Sequence, residues 1–337
     1  MSKKILFLFL LLSVSLGLLS GCGASRPLSR SGFYFDTVIT VTIYDASKES
    51  ALAGCFDLAE RYENYFSNTL PDSDISKINA ANGAPVTVHE ETAELLEKGI
   101  AYGNLSGGSF DITIGKLSDL WNISLKALLE ETDASMVPSE AEIAEALSTV
   151  DYTCIQTDGN EVTLTNPGAK IDLGGIAKGY IADRMKEYLS EQGVTSALIN
   201  LGGNVLTLGE KPDGSPFTIG IQYPFEEDGS SIVSVQVTDQ TVVSSGIYER
   251  YFEVEDTLYH HILNPKTGYP YDNDLLGVTV VTKDSVDGDA LSTICFALGL
   301  EKGMDFIESL EGTEALFITE DYRVHTTSGL GTEVRLY

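Results

Sequence analysis

The chain has 337 residues, 43% of them hydrophobic, with a formal net charge of −29, enough for one large domain or two closely packed ones. So acidic a balance argues against nucleic acid and anionic surfaces as partners, and any phosphate ligand must be met by local cations. Four cysteines without a CxxC pair and only four histidines give no support to a zinc or dithiol redox centre.

Lys3 and Lys4 precede an apolar run over residues 5–19, and Leu19-Ser20-Gly21-Cys22 closes it. The run is shorter than the roughly 20 residues a spanning helix needs, and small residues follow at once. Residues 1–21 therefore read as a secretory signal peptide, and the junction resembles a bacterial lipobox with Cys22 as the lipidated residue. Losing Lys3 and Lys4 moves the formal charge from −29 to −31. Acyl chains on Cys22 would hold the protein in the lipid bilayer at the extracytoplasmic face of the cell membrane, since each buried methylene contributes about 0.8 kcal/mol. Residues 22–32 would be the lipidated tether, and residues 33–337 one continuous α+β unit.

Ile39, Val41 and Ile43 alternate with Thr40, Thr42 and Tyr44, which predicts a strand, and Leu52, Phe56, Ala59 and Tyr62 then recur at helical spacing. A second helix is expected over residues 93–105, stopped by Ser106-Gly107-Gly108, with a strand after it. The polar residues 130–145 read as a surface insertion. Residues 154–164 read as a hairpin turning at Asp158-Gly159-Asn160, and residues 181–189 as a helix ended by Gly193. Short strands dominate residues 197–281. Helices over 289–298 and 301–310 and strands over 315–319 and 323–326 complete the chain. Mixed sheets packed with helices follow from this order, and a doubly wound sheet does not.

Four segments combine glycines, acids, hydroxyls and histidine in ways a plain core does not require. In Gly107-Gly108-Ser109-Phe110-Asp111-Ile112-Thr113 the glycines permit close backbone approach, and Ser109, Asp111 and Thr113 would share one side of the expected strand. In Asp172-Leu173-Gly174-Gly175-Ile176-Ala177-Lys178-Gly179-Tyr180 a glycine pair and a lysine open a helix, where free N–H groups and an ammonium suit an anion. A Walker motif is absent, and an ordinary turn with a solvated lysine explains this segment about as well when it is taken alone. Asn200-Leu201-Gly202-Gly203-Asn204 is a similar turn, read as structural.

The third segment runs from Ser244-Ser245-Gly246 to His260-His261-Ile262-Leu263-Asn264-Pro265-Lys266-Thr267-Gly268-Tyr269-Pro270. Histidine is the usual proton acceptor near neutral pH, and in a strand ending at Leu263 the two histidines face opposite ways, so at most one serves a site. The fourth, Asp287-Gly288-Asp289-Ala290-Leu291-Ser292-Thr293, puts Asp289 and Thr293 one helical turn apart, oxygen donors suited to a hard cation such as Mg2+. Read alone, the segment is better explained by an Asp helix cap with Thr293 bonding back to the chain.

Taken in this order, Gly-Gly-x-Phe-Asp-Ile-Thr, Asp-Leu-Gly-Gly-Ile-Ala-Lys-Gly-Tyr, His-Ile-Leu-Asn-Pro-Lys-Thr-Gly-Tyr-Pro and Asp-Ala-Leu-Ser-Thr resemble the ApbE family of FAD:protein FMN transferases. The resemblance runs from Phe35-Asp36-Thr37 through Phe66-Ser67 and Ser73-Asp74-Ile75-Ser76-Lys77-Ile78-Asn79 to the last motif. It implies an enzyme that moves FMN from FAD to a threonine of an acceptor protein, an extracytoplasmic or membrane redox subunit, and releases AMP. Metal would be held by Asp289, Thr293 and the carbonyls of Gly175 and Ser292. FAD would meet Phe35, Ser109, Phe110, Asp111, Asp172 and Lys178, and His261 would activate the acceptor. Phe35 stands where members often carry Met, and Thr69 where an aromatic often stacks near the flavin, leaving that role to Tyr34, Tyr65 or Phe66. Hydrolysis of FAD to FMN and AMP, and a flavin-binding lipoprotein without catalysis, are the competing readings.

Overall fold

The structure is a computed structural model that describes residues 27–129, 131–226 and 229–337. The leader and Cys22 lie outside the described residues. Nine α-helices are assigned within them: α1 (Glu49–Phe66), α2 (Asp74–Ala80), α3 (Glu90–Leu105), α4 (Gly115–Trp121), α5 (Ile123–Lys126), α6 (Glu140–Leu147), α7 (Ala177–Glu191), α8 (Ser285–Leu298) and α9 (Leu300–Glu308). The strands are β1 (Leu28–Tyr34), β2 (Thr37–Ile43), β3 (Val86–Thr87), β4 (Ile155–Asp158), β5 (Glu161–Leu164), β6 (Ala197–Leu201), β7 (Asn204–Leu208), β8 (Phe217–Gln222), β9 (Ser231–Val237), β10 (Thr241–Gly246), β11 (Tyr251–Val254), β12 (Thr257–His260), β13 (Leu275–Thr282), β14 (Glu314–Thr319), β15 (Val324–Thr326) and β16 (Val334–Leu336).

An eight-stranded antiparallel sheet in the order β1-β2-β6-β7-β10-β13-β14-β15 organises the chain. β2 shows why: Ile39, Val41 and Ile43 are fully buried while the intervening residues are not, as period two requires of a strand with one face in the core. That face packs against α1, α7, α8 and α9 through residues such as Phe56, Ile181, Ile294 and Ile307. The opposite face is covered in part by the sheet β16-β9-β8, where Phe217, Val233 and Val235 meet Val242, Val281 and Leu316. β13, sandwiched between the two layers, is buried along its whole length and reads as a continuous apolar run. The α+β class and the absence of a doubly wound sheet agree with the expectation from sequence.

Three local expectations change. Residues 109–113 form no strand: Asp111 bends back to accept the N–H and hydroxyl of Thr113 at 2.7 and 2.6 Å, so a turn replaces the alternation. Residues 28–32, assigned to the tether, pair with β2 as the first part of β1, an order their polar sequence does not signal. The polar segment 130–145 contributes α6, opened by a capping box between Ser139 and Glu142. Its Ile143 is buried with Leu117, Trp121 and Leu263 in a satellite core. One apolar residue per turn is too weak a stripe to announce that packing.

α7 and α8 cross where Gly179 faces Ser285. A Cβ at Gly179 would stand 2.2 Å from the Ser285 carbonyl oxygen, closer than any side chain tolerates against backbone. Asp183 reaches across the same crossing and accepts the N–H groups of Ser285 and Val286 at 2.8 and 2.9 Å, capping α8. Gly179→Ala should therefore push the two helices apart and cost about 1–3 kcal/mol or more. Thermal unfolding of the variant against the parent measures this, and an unchanged midpoint would contradict the close crossing.

Candidate functional site

A cavity of about 820 Å³ opens at one end of the large sheet, in the upper part of the range of about 300–1,000 Å³ usual for ligand sites. Its wall is assembled from loops that rigid elements aim inward. The β1–β2 hairpin supplies Phe35 and Asp36 at its tip, both with positive φ (52° and 54°). Such a two-residue turn matches the twist of the strands but strains bulky residues, and Glu63 offsets this by accepting the Phe35 N–H at 2.7 Å. Two further loops are zipped side by side: Asp172 N–H donates to the Ile112 carbonyl at 2.8 Å, and Gly115 N–H to that of Lys170 at 2.9 Å. Asn79 clamps the second through both backbone groups of Ile171, at 2.7 and 3.0 Å. Ser109, Phe110, Asp111, Asp172 and Gly175 all reach the cavity from these loops.

At the start of α7, Lys178 donates to the Gly174 carbonyl at 3.0 Å and stands 3.5 Å from Asp289 Oδ1. Asp289 is buried inside α8, which begins four residues earlier at Ser285, so it is no helix cap. Its other oxygen accepts the Gly179 N–H at 2.9 Å. Thr293 follows one turn later, 3.4 Å from the Ser245 hydroxyl, which itself meets the Ser292 hydroxyl at 2.8 Å. A Cβ on Gly175 would lie 3.9 Å from Thr293 Oγ1 and 3.1 Å from the Phe110 ring, so the glycine brings its backbone beside both. Asp289, Thr293 and Gly175 line the cavity, whereas Ser292 is fully buried behind them. One buried carboxylate with hydroxyl and carbonyl oxygens is a donor set for a hard cation such as Mg2+, and the residues present fit one.

The two histidines differ sharply. His260 is buried against Phe296: its Nε2 meets the Tyr271 carbonyl at 2.8 Å, and its Nδ1 accepts the Ile262 N–H at 3.2 Å, leaving no nitrogen for chemistry. β12 ends at His260, not at Leu263, so His261 turns out of the strand into the cavity. Its Nδ1 lies 3.3 Å from the Arg250 carbonyl, which also takes its backbone N–H at 3.2 Å. That carbonyl requires a proton on Nδ1 and leaves Nε2 as the acceptor. Burial, with the Arg250 charge adding to it, pushes the His261 imidazole down to about 3. The ring is only half-buried, so cavity water moderates the shift, but its direction keeps the imidazole neutral. Below it the loop to Pro270 is rigid: Asn264 N–H and Gly268 N–H close it at 2.8 Å each, and Trp121 Nε1 holds the Gly268 carbonyl at 2.7 Å.

Glu249 and Arg250 escaped the sequence reading. Glu249 faces the cavity, whose depth pushes its carboxyl up to about 7 against the pull of Lys178 and Arg250. The side chain is exposed to that space, so water or ligand there weakens the rise. Arg250 donates to the Asp36 carbonyl at 3.3 Å and the Ser124 hydroxyl at 3.2 Å. Their signal was a charged pair three residues beyond the Ser244-Ser245-Gly246 strand end. Of the aromatics considered as substitutes for Thr69, Phe66 lines the cavity beside it. Tyr65 is stacked on His89 at 3.8 Å and Tyr34 packs against Phe56, and neither lines the cavity.

The ApbE family profile matches residues 35–317, most of the chain. The chain belongs to the ApbE family. An FAD:protein FMN transferase of Klebsiella pneumoniae (strain 342) is 40% identical over 301 residues, covering 88% of this chain and 90% of its own. An FAD:protein FMN transferase of Treponema pallidum (strain Nichols) is 34% identical over 95% of this chain and 92% of its own. The ApbE protein of Thermotoga maritima superposes with a TM-score of 0.81 at 29% identity, covering 90% of this chain and 98% of its own. The Klebsiella and Treponema relatives are named as FAD:protein FMN transferases, and this chain is an enzyme of that transferase family.

His260 generates a pH dependence of stability. Burial pushes its imidazole down to about 4, against about 6.5 in the unfolded chain. Between these values the folded state binds fewer protons, so the stability present above pH 6.5 is lost as pH falls toward 4. His260→Gln removes the titration. Urea unfolding at pH 7 and pH 5 should show the parent losing roughly 1–2 kcal/mol more than the variant on acidification. Equal losses would mean the ring is not held neutral.

Proposed function

We propose that the protein transfers FMN from FAD to the threonine hydroxyl of an acceptor protein and releases AMP, with Mg2+ as cofactor. The carrying observation is the juxtaposition of a neutral His261, fixed through Nδ1, with Asp289, Thr293 and Lys178 around one cavity of dinucleotide size. In the reaction the acceptor oxygen bonds to the FMN-side phosphorus, the pyrophosphate P–O bond breaks, and AMP departs with the bridging oxygen. His261 Nε2 takes the hydroxyl proton, which a weak nucleophile must lose as it attacks. Lys178 supplies positive charge next to the phosphates, and the helix start behind it adds N–H groups of the same sense. Asp289, Thr293 and the Gly175 and Ser292 carbonyls would hold Mg2+, which when bound neutralises phosphate charge that this acidic chain otherwise repels. Phe35, Ser109, Phe110, Asp111 and Asp172 would position FAD. Asp111 does so indirectly, because its carboxylate is taken up by Thr113 and the Tyr152 N–H at 3.0 Å, an arrangement that shapes the loop.

The two key residues are expected to fail differently. His261→Ala should bind FAD like the parent yet label acceptor threonine about 10²- to 10⁴-fold more slowly, the usual contribution of a general base. Asp289→Ala should be worse, because positioning and charge stabilisation carry most of phosphoryl transfer. Flavin fluorescence of the acceptor on a denaturing gel, with AMP release measured with and without acceptor, ranks both and separates transfer from hydrolysis of FAD. Labelling by His261→Ala at the parental rate would remove the base assignment, and AMP release independent of acceptor would favour hydrolysis.

We further infer from Leu19-Ser20-Gly21-Cys22 that the mature chain begins at acylated Cys22 and works at the extracytoplasmic face of the membrane. Intact-mass analysis of the membrane fraction should find the lipid increment on Cys22, and Cys22→Ala should release the protein. A soluble parent with an unmodified thiol would contradict the anchor.

A further inference from the structure

Arg250 ties together two elements at the edge of the cavity, and both carry apolar side chains that the interior does not use. Its guanidinium holds the Asp36 carbonyl at the tip of the β1–β2 hairpin and the Ser124 hydroxyl in α5. On α5 and the turns that continue it, Leu125, Leu128 and Leu129 are 55%, 79% and 51% exposed. Their i, i+3, i+4 spacing puts them on one side, and the Leu128 and Leu129 N–H groups keep the helical path by donating to the Leu125 and Lys126 carbonyls at 3.1 Å. Asn122, Ile123 and Ser124, immediately before them, line the cavity. On the hairpin, Phe33 and Val38 are direct cross-strand partners, 68% and 57% exposed, within two residues of the cavity-lining turn Phe35-Asp36-Thr37.

We propose that Leu125, Leu128 and Leu129, with Phe33 and Val38, form a docking rim for the acceptor protein that takes apolar side chains on either side of its hydroxyl-bearing residue. The proposal rests on the transferase reading of the cavity. A hydroxyl that reaches His261 belongs to a polypeptide lying against the elements at the cavity edge, and the Arg250 carbonyl that holds His261 belongs to the residue that clamps those elements. Exposed apolar clusters of this kind mark interaction sites, and on a chain of net charge −29 they offer adhesion that does not depend on the partner's charge. The cation within the rim segment, Lys126, commits its ammonium to the Met136 carbonyl at 2.6 Å, which sets the rim apart from the interior around Lys178. A lipid surface fits less well, because a bilayer seated on side chains next to the opening would close it to both substrates.

The test uses the full-length protein and Leu125→Gln/Leu128→Gln/Leu129→Gln, which leaves charge and cavity lining unchanged. Three 15-residue peptides serve as probes, each with one threonine flanked by apolar, acidic or basic residues. FMN transfer from FAD is read by peptide fluorescence and FAD binding by flavin quenching. The parent should label the apolar-flanked peptide at least about tenfold faster than the others, the effect of one buried apolar side chain. The variant should lose that preference and bind FAD as the parent does. Equal labelling of all three peptides by the parent, or a preference retained by the variant, would overturn the docking rim while leaving the transferase reading intact. Loss of FAD binding in the variant would assign the leucines to the flavin site and overturn it as well. If the parent binds FAD and labels none of the peptides, both the rim and the transfer reading fall. Leucine-dependent binding to phosphatidylcholine vesicles would assign the surface to a membrane instead.

Discussion

The buried bond from the Gly179 N–H to Asp289 is the contact on which the site depends. It joins the first turn of α7 to the interior of α8, and only a residue without a Cβ lets the two helices come close enough to make it. The same closeness sets Lys178 and Gly175 against Asp289 and Thr293, so anion-attracting and cation-attracting groups share one wall. A carboxylate buried this deeply would be costly unpaired, and the N–H and ammonium beside it offset that cost. Asp183, pushed up to about 6 by burial, secures the crossing from the other side by capping α8.

A second constraint acts through Arg250. Its carbonyl fixes the tautomer of His261 and its side chain braces the hairpin and α5, so the proposed base and the opening of the cavity are positioned by one residue. The strained hairpin tip at Phe35 and Asp36 is held between this clamp and Glu63. Strain kept in place from two sides at a cavity wall is the pattern expected where a backbone must present itself to a ligand. The three described cysteines take no part: Cys55, Cys154 and Cys295 are buried free thiols, and burial pushes that of Cys55 up to about 12.

Much of the framework was legible in the chain. The alternation in β2, the helical spacing from Leu52 to Tyr62, the hairpin at Asp158-Gly159-Asn160 and the two helices before β14 are local patterns, and the structure realises them with shifts of a few residues at the ends. The start of α8 was misplaced because Ser285 to Gly288 look like a turn until Asp183 caps them. Asp111 was read on a strand because alternation alone cannot tell a strand from a loop whose carboxylate bonds back to its own backbone. Ile143 was hidden in a polar segment, since a single apolar residue has meaning only opposite the partner it packs against.

By itself, the sequence determined the α+β class, the family and the four motif segments that come to line the cavity, because motifs and periodicity are properties of neighbours along the chain. Which histidine faces the cavity was decided by tertiary structure. Tyr271 and Ile262 occupy both nitrogens of His260, whereas the Arg250 carbonyl takes only one of His261. Tertiary structure likewise drew Glu249 and Arg250 into the site, and it brought Asp289 to Lys178 across 111 residues of chain. Those relations depend on distances between segments that no local pattern encodes, and they exist only once the helices have crossed and the sheet has closed over them.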